Sequence, residues 1–389
     1  MNTSPNRCMI ALILLFAVTS VAFKSFPAKL SSPQLQLHKS LSQYKRLAPI
    51  ATSTQGMIQE SKEVKAPLQT IRDQALVIWD FSRPHTIIGS CISIICLFLF
   101  AVPASLWRET VFLQSLVAAL VPSLFMNLFI TGLNQITDVD IDKINKPYLP
   151  IASGKLSKSN GTLVVLASLF MSVCNIRMMR RPLQVTLLGS ALLGTAYSMP
   201  PFRLKRFPLL AAFCILVVRG SLVNLGFFLQ AKDALLGETL PPLAGGLSSL
   251  LALANLYPDA AAITSFFAVF GLVIALMKDV PDIRGDVVYA IPSFSVTLGA
   301  ARMFRIAWGI LFGLLSAASF ATLATTLTAS TPTRLARTVL SAVLGGFAFD
   351  VRSNAIKVEA ENPDKVFKFY MRVWNIFYGS YLLLPFYRL

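Results

Sequence analysis

Nine stretches of largely apolar residues follow one another from residue 86 to the C-terminus, near 86–104, 111–131, 161–177, 183–198, 208–230, 256–276, 304–325, 335–349 and 369–387. About 20 such residues are needed to cross a bilayer as a helix, and in lipid a segment must satisfy its backbone hydrogen bonds internally. The runs therefore predict an all-α, polytopic membrane protein of about nine transmembrane helices, bundled around a central cavity. Two of the runs, 183–198 and 335–349, are short. With 55% hydrophobic and only 14% charged residues, the chain is excluded from the class of soluble enzymes. Its formal charge of +17 would suggest nucleic acid in a soluble protein; in a polytopic one it reads as address and orientation, and no nucleic-acid partner is implied.

The first 59 residues supply six of those positive charges (Arg7, Lys24, Lys29, Lys39, Lys45 and Arg46) and no acid. Residues 1–22 have the charged, apolar and small-residue regions of a secretory signal. Residues 23–70 begin basic, Ser-rich and acid-poor, like an organelle transit peptide. The succession resembles the two-part address of algal plastids lying within extra membranes, and predicts a multi-pass plastid membrane protein whose folded domain spans 75–389. An endomembrane or secreted protein with a flexible mature N-terminus is the alternative. Since each span reverses the chain, the loops after spans two, four, six and eight share one side. That side holds about twice as many Lys and Arg as the other, which orients it toward the compartment of insertion. The cysteines lack metal-ligand or redox spacing and read as small buried apolar residues.

The loop after the second span reads Asn134-Gln135-Ile136-Thr137-Asp138-Val139-Asp140-Ile141-Asp142. Residues four apart share a helix face, so Asn134, Asp138 and Asp142 converge while Asp140 points away. The loop after the sixth span carries Asp279, Asp282 and Asp286 at similar spacing. Either loop alone could be a solvated turn. Two such clusters on one side of a charge-poor protein are harder to dismiss, and hard oxygen donors of this kind suit Mg²⁺. On the same side stand Arg83 and the run Arg203-Leu204-Lys205-Arg206. Cations beside metal-binding acids can hold a diphosphate and stabilise the charge that grows on it as it leaves; orientation charges are the plainer reading of the same residues.

Several phrases together resemble the UbiA-type intramembrane aromatic prenyltransferases, and within them the plastid homogentisate prenyltransferases. They are Phe81-Ser82-Arg83-Pro84-His85-Thr86, Gly132-Leu133-Asn134-Gln135, Asn145-Lys146-Pro147-Tyr148-Leu149-Pro150, Lys278-Asp279, Pro292-Ser293-Phe294-Ser295-Val296 and the closing Tyr381-Leu382-Leu383-Leu384-Pro385-Phe386. Asn134-Gln135, where many relatives have Asn-Asp, favours the homogentisate branch. The resemblance implies prenyl diphosphate and homogentisate as substrates, a lipid bilayer as setting, and loss of the homogentisate carboxyl as CO₂. It points to phytyl as the group transferred, with solanesyl as the alternative; Tyr197-Ser198-Met199-Pro200-Pro201-Phe202 looks like the solanesyl side. Under it Asn134, Asp138, Asp142, Asp279, Asp282 and Asp286 bind Mg²⁺, and Arg83, Asn134, Lys146, Lys205, Arg206 and Lys278 bind diphosphate. Tyr197 orients diphosphate or a carbocation, or is simply an interfacial aromatic. Arg284 stands where relatives often have an acid, which weakens the second cluster. A transporter using paired acids is the expectation from another class; Arg219 alone lies mid-span, and could reach the cavity or bond backbone carbonyls. No oligomeric state is implied.

Overall fold

The computed structural model describes residues 67–238, 247–328 and 330–388. Residues 1–66, which contain the signal and most of the transit-like segment, lie outside them. Among the described residues there are helices and turns but no strand. Helix α1 (Pro67–Phe81) leads into α2 (Pro84–Ala101), α3 (Thr110–Thr137), the short α4 (Val139–Asn145), α5 (Lys158–Val173), α6 (Arg181–Ser198) and α7 (Pro208–Ile215). A π-helical turn, Leu216–Leu222, joins α7 to α8 (Val223–Leu236). Then come α9 (Leu247–Leu256), α10 (Pro258–Lys278), the short α11 (Ile283–Val288) and α12 (Phe294–Leu298), α13 (Ala300–Ala324), α14 (Thr331–Ala355) and α15 (Pro363–Leu382).

Eight of the nine apolar runs each coincide largely with one of these helices, and the run 208–230 spans α7, the π turn and α8. Among the described residues, six helical segments are long and apolar enough to cross a membrane: Pro84–Ala101, Thr110–Thr137, Lys158–Met178, Pro208–Leu236, Pro258–Lys278 and Ala300–Leu327. Helices α6, α14 and α15 complete the expected nine in position but not in apolarity. The reason is compositional: α14 includes Arg334, Arg337, Asp350 and Arg352, α15 includes Asp364, Lys365, Lys368 and Arg372, and α6 is diluted by Gly, Ser and Thr.

Helix α10 is the axis of the bundle, packed by α13, α8, α15 and the π turn. Its aromatic rings interlock with those of α15: Phe267 stacks on Tyr381 at 3.7 Å and meets the Phe377 edge at 5.6 Å. Such pairs add about 0.5–1.5 kcal/mol each beyond burial. This rigid pair matters because α10 ends at Lys278, directly at the second acidic loop. Helix α3 likewise ends at the first. The two short helices that follow, α4 and α11, pack on each other, so both loops are brought to one end of the bundle.

Candidate active site

Helix α3 stops at Thr137 because Asp138 leaves helical geometry, with φ −115° and ψ 16°. Hydrogen bonds of the helical type nevertheless run on through the break, from Asp138 N to Asn134 O (3.1 Å) and from Asp142 N to Asp138 O (2.8 Å). The 134/138/142 face thus survives a change of helix. All three side chains line a cavity of about 400 Å³ at the end of the bundle. Asp140 points outward and pairs with Lys143 at 3.0 Å in solvent.

Across the cavity stand Asp279, Asp282 and Asp286. The two acidic loops are fastened to each other by the Lys146–Asp282 pair and by a short bond in which Gly285 N donates to Asn145 Oδ1 at 2.7 Å. A Cβ on Gly285 would lie 2.6–2.7 Å from the Asn145 side chain, so only glycine admits this approach.

Cations separate the carboxylates. Asp138 Oδ1 accepts from Lys205 Nζ at 2.5 Å and from Arg203 Nη2 at 3.0 Å, while Asp138 Oδ2 accepts from Asn134 Nδ2 at 2.9 Å. Asn134 Oδ1 in turn accepts from Arg83 Nη2 at 3.2 Å. Lys146 is paired with Asp282, and Lys278 with Asp279 at 2.8 Å. Lys278 also donates to the Tyr197 hydroxyl at 3.2 Å, which places Tyr197 on the wall of the cavity rather than in an aromatic belt. Asp142 and Asp286 are the buried members, and Asp142 Oδ2 has no hydrogen-bond partner. Burial, reinforced by the neighbouring carboxylates, pushes Asp142 up to about 6 and Asp286 up to about 7. Burial beside Arg203 and Lys278 brings Lys205 down to about 8 despite its contact with Asp138.

Two arrangements differ from the expected ones. Arg206 is exposed and does not line the diphosphate cavity; Arg203 reaches Asp138 in its stead, because the chain turns through the left-handed region at Arg203 (φ 39°) before the 3₁₀ turn 204–206. Arg83 adopts the same unusual backbone, with φ 55°. Left-handed conformations cost non-glycine residues about 1–3 kcal/mol and concentrate at functional sites. The expected set of six metal ligands is also not assembled as a cage: among the described residues, no three His, Cys, Asp or Glu lie close enough to hold an ion together. Lysines sit between them. The donor set still fits Mg²⁺ on a diphosphate, since Mg²⁺ keeps waters and phosphate oxygens and asks for only one or two carboxylates. The orphaned, buried oxygen of Asp142 is such a donor. Sequence reading missed the wall residues Asp80, His85, Tyr148 and Lys155, of which only His85 and Tyr148 belonged to a recognisable phrase.

A model of the UbiA prenyltransferase family matches residues 91–376. The homogentisate geranylgeranyltransferase of Hordeum vulgare is 39% identical over 312 residues, covering 79% of this chain and 71% of that protein. Homogentisate phytyltransferase 1, chloroplastic, of Arabidopsis thaliana is 36% identical over 330 residues, covering 84% of this chain and 79% of that one. A solved UbiA homolog from Archaeoglobus fulgidus, bound to GPP and Mg²⁺, shares the fold with a TM-score of 0.53 at 16% identity, over 79% of this chain and 99% of that one.

Proposed function

The chain belongs to the UbiA prenyltransferase family, a membrane-embedded prenyltransferase, and on that footing we propose that it transfers a phytyl group from phytyl diphosphate to homogentisate in a plastid membrane. The observation that carries the reading is the single cavity in which two acidic loops alternate with Arg83, Lys146, Lys205 and Lys278. Plastid placement rests on the acid-free N-terminal 59 residues and on the chloroplastic relative.

In this reaction the allylic C–O bond breaks and its electron pair leaves with the diphosphate. The aromatic ring attacks the allylic carbon and loses its ring proton. The carboxyl departs as CO₂, leaving its electron pair on the benzylic carbon, which takes up a proton. Arg83, Lys205, Lys146 and Lys278 bind the diphosphate and balance the charge it acquires, which is where electrostatic rate enhancement concentrates. Asp142, through its unpartnered oxygen, and one or two further donors from among Asn134, Asp138, Asp279, Asp282 and Asp286 would hold Mg²⁺ on the diphosphate, and its Lewis acidity would add to that neutralisation. Tyr197, fixed by Lys278, orients the diphosphate end of the donor. The product is a tocopherol precursor.

The test is prenyl transfer by membranes carrying the full chain, given labelled homogentisate with phytyl, geranylgeranyl or solanesyl diphosphate, with Mg²⁺ or with chelator. The highest kcat/KM is expected for phytyl diphosphate with Mg²⁺. Transfer only from solanesyl diphosphate would move the donor assignment, and no transfer from any donor would refute the function. Geranylgeranyl is the second donor to examine, because the barley relative is named for it.

A further inference from the structure

Below the diphosphate cavity a second one, of about 260 Å³, runs into the bundle, and Arg83, Asn134, Tyr197 and Lys278 line both. An isoprenoid chain asks only for apolar walls. The walls of this cavity are mostly apolar, but among them stand Ser90, Asn127, Thr131, Ser190 and Ser198, together with Arg219.

Arg219 lies in the middle of the apolar segment Pro208–Leu236. Its guanidinium carbon sits 4.9 Å over the Trp374 ring. No carboxylate or backbone carbonyl among the described residues pairs with that guanidinium. A cation at this depth without a counter-ion is costly and marks a functional position.

The surrounding structure is built to present it. Arg219 falls within the π turn Leu216–Leu222, a geometry found mostly at functional sites. Asn224 Nδ2 donates to the carbonyls of Arg219 and Gly220, at 2.7 and 2.8 Å. Tyr381 OH donates to Asn224 Oδ1 at 2.7 Å, and its ring is stacked on Phe267. At Gly220 a Cβ would come within 2.8 Å of the Ala268 backbone, so the turn is pressed directly on α10.

We propose that Arg219 anchors the acceptor by its carboxylate. The guanidinium takes the carboxylate of an arylacetate as a bidentate, charge-assisted pair, with the aromatic ring lying among the hydroxyl-bearing side chains toward Tyr197 and Lys278, where the two cavities meet. The inference rests on the reading that the acceptor is homogentisate, and names the group that recognises it.

The experiment titrates the purified full chain, without prenyl donor, with homogentisate and with its neutral analogue 2,5-dihydroxyphenylacetamide. The wild type is expected to favour the acid by on the order of 10- to 100-fold. In Arg219→Met the preference collapses to about unity while the KM for prenyl diphosphate is retained, a split that general loosening of the fold would not produce. Arg219→Gln gives the same collapse and serves where the methionine variant does not fold. A wild type that binds acid and amide alike, or a neutral variant that keeps the preference, overturns the anchor. Binding of the acid through Arg219 without transfer from any donor would refute the proposed function and leave the anchor standing. Transfer to homogentisate with an unchanged acid-to-amide ratio in the variants would refute the anchor alone.

Discussion

Gly285→Ala adds one methyl group at the junction of the two acidic loops. The new Cβ would stand 2.6 Å from Asn145 Nδ2 and 2.7 Å from Cγ and Oδ1, where ordinary contact begins near 3.4 Å. The asparagine must retreat by about 0.8 Å, and its side chain is too short to do so without giving up the 2.7 Å bond from Gly285 N. That bond is worth about 0.5–1.5 kcal/mol, and the buried N–H left behind costs about 1–3 kcal/mol. Asn145 directly precedes Lys146 and lies three residues after Asp142, so the loops bearing Asp142 and Asp282 separate by a similar distance. Misplacement on the order of 1 Å costs roughly 100-fold in rate. Prenyl transfer by Gly285→Ala is therefore expected to fall about 10- to 100-fold, with a raised Mg²⁺ requirement. The cycle with Asn145→Ala is the decisive measurement. Asn145→Ala alone loses the bond but opens space, so Gly285→Ala should cost little more on top of it, giving a coupling of at least about 1 kcal/mol. Full activity in Gly285→Ala, or additive losses in the double variant, would refute the idea that this contact sets the spacing of the site.

Asp138→Ala and Asp282→Ala should each abolish Mg²⁺-dependent transfer while the protein still inserts and purifies; substantial activity in either would remove that carboxylate from the site. Lys205→Ala should raise the KM for prenyl diphosphate about tenfold or more, with the acceptor KM little changed, read from initial rates at saturating homogentisate. Asp142 and Asp286 titrate near 6 and 7, above the ordinary carboxylate range, so the unliganded fold holds more protons than the unfolded chain between about pH 4 and 7. The stability contributed by the neutral acids is present at the low end and lost as pH rises through their folded values, by at most about 1.4 kcal/mol per pH unit for each group. Thermal melts of the purified protein should fall across that window, and Asp286→Asn should flatten the slope. Apparent Mg²⁺ affinity should run the other way, rising through pH 6–7 and levelling above it.

The acids were legible in the sequence because spacing of four is a local property, and it survived even the interruption of α3 at Asp138. The positions of the apolar runs were equally local. What could not be read was long-range or conformational. Arg203 rather than Arg206 reaches Asp138 because of a left-handed backbone turn that no composition signals. The Asn145–Gly285 bond joins residues 140 apart in sequence. Spacing also does not show that lysines stand between the carboxylates and relieve their repulsion as ion pairs. Arg219 was visible as a mid-span charge, but its Trp374 neighbour and the cavity it lines come from α15 and α2–α3 folding around it.

Alternation of charge along the diphosphate cavity has a consequence for how cargo is admitted. Asp80, Asp138, Asp142, Asp279, Asp282 and Asp286 are matched by Arg83, Lys146, Lys155, Arg203, Lys205 and Lys278. With every group ionised, these side chains are electroneutral as a set. Such a vestibule draws neither a bare anion nor a bare cation strongly from a distance, so encounter rates should respond weakly to ionic strength. Neutrality is disturbed by either ion alone and restored when an anionic diphosphate and divalent cations are both inside, which couples the occupancy of one to the other at the edge of a low-dielectric bilayer.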